Sequence, residues 1–89
     1  MKAVVTVVGK DQVGIIAAVC VKLAEYNVNV LDISQTVMQG YFTMMMVVDV
    51  TACTVPLADL VSLMDEMGKG MNLSIRVQRE DIFEAMHRI

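Results

Sequence analysis

Two runs of strand-forming residues, Asn29–Met38 and Tyr41–Val50, are separated only by Gln39-Gly40. A two-residue connection ending in glycine is a strong local signal for an antiparallel hairpin, because glycine takes the positive φ that such a turn needs. The turn also sets the register. With Gln39 and Gly40 as the loop, Val37 faces Phe42, Gln35 faces Met44, Ile33 faces Met46 and Leu31 faces Val48. Seven of these eight are apolar, which predicts one buried face. The other face pairs Thr36 with Thr43, Ser34 with Met45, Asp32 with Val47 and Val30 with Asp49. That mixed face suits a sheet surface left open or used for association.

The segments around the hairpin complete an order. Lys2–Val8 is a continuous β-branched run, as expected of a central strand, and Gly9–Gly14 breaks it. Ile15–Asn27 reads as a helix with Ile15, Val19, Leu23 and Tyr26 on one stripe, widened by Ile16, Cys20 and Ala24, and Asn27 ends it. Thr54 is placed to cap a second helix with Pro56 in its first turn. That helix carries Leu57, Leu60, Val61 and Met64 inward and ends at Gly68 or Gly70. Asn72–Gln78 alternates as a half-buried strand. In the tail, residues 79–89, Ile82, Phe83, Met86 and Ile89 fall at helical spacing, which predicts a short amphipathic C-terminal helix. The order β-α-β-β-α-β with right-handed crossovers predicts an α+β, ferredoxin-like sandwich. Its antiparallel sheet has strand order 4-1-3-2, with both helices on one face.

With 89 residues, the chain is expected to form one domain over residues 1–89. A domain this small buries only roughly 60% of its surface. Yet 56% of its residues are hydrophobic, nine of them Met, with no Trp. That excess suggests apolar surface beyond one core, hence a homodimer. The strand Asn29–Met38 carries no Lys, Arg or Pro to block edge pairing. A net charge of −3, with seven scattered Lys and Arg, disfavours direct nucleic-acid binding, which needs a basic patch. No basic amphipathic segment points to a membrane surface, and no apolar run approaches spanning length. The run Ala3–Val8 is too short for a signal-peptide core, so a cytoplasmic chain with reduced thiols is expected.

The segment most suggestive of chemistry is Gly9–Val19, where a strand passes through a glycine-containing loop into a helix. Exposed N–H groups at such a helix start accept anionic groups such as a carboxylate, and Gly14 allows close approach to the backbone. Asp11 reads first as the helix cap. Cys20 and Cys53 stand in no metal-ligand spacing, and the single His87 lies far from both. Asp32 and Asp49 read as solvated strand residues, and no nucleophile is evident near His87. The expectation is therefore no metal, no cofactor and no catalytic residue.

Asp11, Gly14 and Ile15 in the loop, Asn29-Val30 opening the second strand and Gln35 along it together resemble the first half of an ACT domain. The pattern is similar to stand-alone ACT proteins and to the ACT segments of the glycine-cleavage repressor and of formyltetrahydrofolate deformylase. Gln12 and Val13 depart from the Arg-Pro common at those positions, so the loop lacks that cation and that rigid ring. The resemblance implies a regulatory module rather than an enzyme. An amino acid or similar metabolite would bind between paired domains, and a separate protein could be regulated. It implies ligand contacts at Lys10, Asp11, Gln12, Val13, Gly14, Ile15 and Asn29. The competing reading on the same fold is a small hydrolase of acylphosphatase type. That chemistry wants an Arg beside the phosphate loop, and Gly9–Gly14 offers Lys10 but no Arg.

Overall fold

The structure, a computed structural model, describes residues 1–82. It contains β1 (Lys2–Lys10), α1 (Ile15–Glu25), β2 (Asn29–Met38), β3 (Tyr41–Asp49), α2 (Leu57–Met71) and β4 (Leu73–Arg79). The antiparallel sheet runs β2-β3-β1-β4, the order expected of the ferredoxin-like sandwich. Residues 80–82 are helical, as expected of a C-terminal helix. The expectations placed on Phe83, Met86, His87 and Ile89 lie outside the described residues.

The hairpin turn forms as its sequence requires. Gln39 and Gly40 both take positive φ, 51° and 82°, the signature of the tight turn whose twist matches its strands. Val37↔Phe42, Gln35↔Met44 and Ile33↔Met46 pair as expected. The register departs only past a bulge between Val30 and Asp32. Val30, not Leu31, sits opposite Val48, and Asn29, not Val30, opposite Asp49. The bulge places one extra residue on β2, which the hairpin arithmetic could not anticipate.

The expected buried face is half realised. Phe42, Met44, Met46 and Val48 on β3 are buried with Ala3, Val5 and Val7 of β1 and Leu73, Ile75 and Val77 of β4. Ile15, Val19 and Leu23 of α1 and Leu60 and Met64 of α2 close this core. The matching side of β2 stays open, with Ile33 41% and Val37 55% exposed. β2 is an edge strand, and α1 covers it only sparsely; Ile16, expected to widen the buried stripe, is exposed instead.

Helix ends differ from their sequence readings for identifiable reasons. α1 stops at Glu25, and Asn27 takes φ 60° while Val28 N–H donates to Leu23 C=O at 3.1 Å, a left-handed C-terminal cap. α2 begins after Pro56, whose carbonyl accepts from Asp59 and Leu60 N–H, so Thr54 is not its cap. It then runs through both Gly68 and Gly70 to Met71, with Asn72 in the left-handed region. Gly68 is there for contact rather than termination, because a Cβ would lie 2.7 Å from Leu73 O. Gly9 likewise does not break β1. It pairs with Phe42 and Leu73, where a Cβ would meet Leu73 Cδ2 at 2.5 Å.

Candidate functional site

β1 delivers Lys10, at its last position, into a loop that is held from two sides. Asp11 N–H donates to Gly40 C=O at 2.8 Å, which ties the loop to the hairpin tip. The Gln12 amide Nε2 donates to Met71 C=O at 2.9 Å, which ties it to the end of α2. Gly14 then turns the chain at φ 87° and stands as the residue capping α1, with no side-chain cap hydrogen bond. Asp11 is therefore not the cap its position suggested: the left-handed turn at Gly14 intervenes. Gly14 C=O accepts from Ala18 N–H at 2.9 Å, and the first N–H groups of α1 are left without intrahelical partners. They give this end of the helix a positive potential.

Two open hollows flank the loop, and Asp11 and Gln12 border both. One, of about 270 Å³, lies against Gly14, Ile16, Gln35 and Val37, before the uncapped start of α1. The other, of about 440 Å³, lies against Lys10, Met71 and Asn72. The loop is thus a thin wall with a ligand-sized space on each side.

The residues expected to bind ligand divide accordingly. Lys10, Asp11, Gln12 and Gly14 border the hollows. Ile15 borders one while its side chain is buried in the core, and Val13 is fully exposed and borders neither. Asn29 stands at the far end of β2 from the hairpin tip, so nine steps of about 3.3 Å put it roughly 30 Å from the loop. Gln35, Val37 and Ile16 border the smaller hollow but were not expected there. A signal for two of them was present, since the hairpin register alone places Gln35 and Val37 on the helix side near the turn.

Among the described residues, no cluster of His, Cys, Asp or Glu could hold a metal. Cys20 and Cys53 are free thiols, both half-buried. Asp32 and Asp49 serve the backbone: Asp32 Oδ1 accepts from Ile33 N–H and Asp49 Oδ1 from Thr51 N–H, each at 2.9 Å. The Thr51 hydrogen bonds hold the Asp49 carboxyl below its ordinary range. No helix among the described residues is long and apolar enough to cross a membrane.

The β-α-β-β-α-β order on a four-stranded antiparallel sheet is the architecture of the ferredoxin-like class of domain. The family model for the ACT domain matches residues 2–78, and the chain belongs to that family. A UPF0237 protein of Bifidobacterium longum is 52% identical over 99% of this chain and 98% of its own length. The structure of an ACT domain protein from Streptococcus pneumoniae is 46% identical, with TM-score 0.83 and 98% of each chain covered. A formyltetrahydrofolate deformylase from Pseudomonas syringae shares the fold at TM-score 0.80 and 20% identity, over 88% of this chain and 27% of that one. A glycine cleavage repressor structure shares the fold as well.

Proposed function

We propose that this chain is a regulatory module, not an enzyme, that acts as a homodimer in the cytoplasm and binds an amino acid or similar carboxylate-bearing metabolite. The observation that carries this reading is the uncapped start of α1 behind Gly14, opening into the hollow bordered by Asp11, Gln12 and Gln35. Unpartnered N–H groups attract a carboxylate, Asp11 suits an ammonium group, and the two amides can read polar atoms. Membership of the ACT family supports the same reading. The exposed apolar side of β2, with Ile33 and Val37 open to solvent, supports the dimer, since a second copy would cover it. The hydrolase alternative gains nothing: the loop carries Lys10 and no Arg, and no Ser, Thr, Cys or His borders either hollow.

A thermal-shift screen across the amino acids tests this. A ligand at a hundredfold excess over its dissociation constant adds about 2.7 kcal/mol. For a chain of this length that raises Tm by roughly 10 °C or more. A flat screen, with no amino acid or related carboxylate moving Tm, would contradict the reading.

A further inference from the structure

On the helix side of β2, Gln35 stands between the exposed apolar residues Ile33 and Val37. Among the described residues its carboxamide has no hydrogen-bond partner. An amide in an apolar strip is costly to cover unless the covering surface satisfies it. It therefore discriminates between ways of covering that strip.

The backbone edge of β2 narrows the choice further. In a hairpin with a two-residue loop, the residues flanking the loop, Met38 and Tyr41, exchange both backbone hydrogen bonds. Alternation then turns the N–H and C=O groups of Val37, Gln35 and Ile33 away from β3, toward the free edge. An independent observation agrees: Ile33 N–H is occupied by the side chain of Asp32, at 2.9 Å. The regular part of the edge runs from Asp32, where the bulge ends, to Met38, where the hairpin begins. Gln35 is its midpoint.

We propose that β2 pairs antiparallel with β2 of a second copy in one register, with Gln35 opposite Gln35 on the twofold axis. This rests on the reading of β2 as the dimer edge and adds what sets its register. In this register Ile33 opposes Val37 and Ser34 opposes Thr36. Gln35 exchanges both backbone bonds with Gln35 of the second copy, and in each of the two Ile33–Val37 pairs the Ile33 N–H gives up its Asp32 contact to reach the Val37 carbonyl. Opposed residues point to the same face, so the helix layers of both copies lie together over Ile33 and Val37. The two carboxamides meet and donate to each other reciprocally. A shift of the axis to Ser34 sets each amide against Ile33, and a shift to Thr36 sets it against Val37. Either leaves both amides buried and unpaired. A single polar group that pairs only in one alignment is a recognised way of specifying register in an apolar interface. The consequence for the site is direct. Gln35 and Val37 border the smaller hollow, so the partner's Gln35 and the partner's Ile33 close its open side. The start of the partner strand is carried toward the hairpin tip, to which Asp11 is tied.

Disulfide trapping tests the register. Directly opposed positions of this type have Cα atoms about 4.5 Å apart, within disulfide reach, whereas positions offset by two residues exceed 7 Å. Ser34→Cys and Thr36→Cys chains are mixed, allowed to exchange, oxidised, and their linkages mapped by mass spectrometry, which also keeps Cys20 and Cys53 distinguishable. The 34–36 linkage should dominate, with 34–34 and 36–36 at least tenfold weaker. Dominant 34–34 or 36–36 linkage overturns the register. No linkage among the three, with light scattering still reporting a dimer, overturns β2 as the interface. A monomer by light scattering overturns the homodimer itself. In a Gln35→Leu background the dimer should persist while 34–34 or 36–36 linkage appears. Retention of 34–36 alone there would show that Gln35 does not set the register.

Discussion

The side-chain amide of Gln12 donates to the backbone carbonyl of Met71 at 2.9 Å, joining the loop before α1 to the end of α2 across 59 residues of sequence. This bond and the Asp11–Gly40 bond are what hold the loop as a wall between two hollows. A net intramolecular hydrogen bond at an exposed position stabilises by about 0.5–1 kcal/mol. Gln12→Ala should lose that amount, read as a lower denaturant midpoint with unchanged slope. Gln12→Glu, which sets a carboxylate against the Met71 carbonyl, should lose at least as much.

Gly14 is the position where a substitution separates folding from binding. Its φ of 87° strains any other residue, by about 1–2 kcal/mol, but a Cβ there meets nothing within 4 Å. Gly14→Asp should therefore fold with a modest loss of Tm and abolish affinity for an anionic ligand. Its carboxylate occupies the space before the N–H groups of α1. Unchanged affinity, measured by calorimetry with the ligand found in the thermal screen, would remove this end of the helix as the site.

The hairpin, the strand order and the helix positions were legible in the sequence, because a two-residue turn and strict alternation leave few alternatives. Three features were not. The Leu31 bulge depends on tertiary fit at the sheet edge, which carries no local turn residue to announce it. Gly68 and Gly9 looked like breaks, but each is a close approach between distant backbones and is visible only once β4 is in place. The exposure of Ile33 and Val37 followed from their edge position and thin helix cover, whereas their alternation reads the same for a covered strand. Within the site, Asp11 and Gly14 were found from loop chemistry. Gln35 was read as part of a face and of the family resemblance but not as a site residue, because its place beside the hollow depends on which strand end meets the loop.

The two helical glycines make a paired test of that distinction. Gly68→Ala brings a methyl group to 2.7 Å from Leu73 O and 3.1 Å from Ile75 Cγ1, and should cost about 1–3 kcal/mol. Gly70→Ala meets nothing within 4 Å and should stabilise by about 0.4–1 kcal/mol through lost unfolded-state freedom. Equal effects in urea unfolding would contradict the packing role of Gly68.

Acid sensitivity should trace in part to Asp49. Its carboxyl accepts from the Thr51 side chain and Thr51 N–H and faces the amino terminus at 3.7 Å, which together lower its pKa below the ordinary 3.8. A group lowered in the folded state favours folding in its charged form. That contribution is complete above the unfolded value and is lost as pH falls through the folded one. Tm of the native chain should fall more steeply below about pH 4 than that of Asp49→Asn, with the two curves parallel above pH 6. Parallel curves throughout would show that Asp49 contributes nothing to the acid limb.

We propose that each ligand site is shared between two copies, one giving the Asp11–Gly14 loop and the other the start of β2 at Asn29. Within one chain these lie roughly 30 Å apart, and antiparallel pairing of β2 would bring them together between chains. Asp11→Ala and Asn29→Ala homodimers should each bind weakly or not at all. After mixing and subunit exchange, both lesions fall in one site of the mixed dimer and the other site is intact. Titration calorimetry with the ligand identified in the thermal screen should then recover native affinity at one site per mixed dimer. If exchange is verified by mass and no binding returns, the shared-site account is wrong.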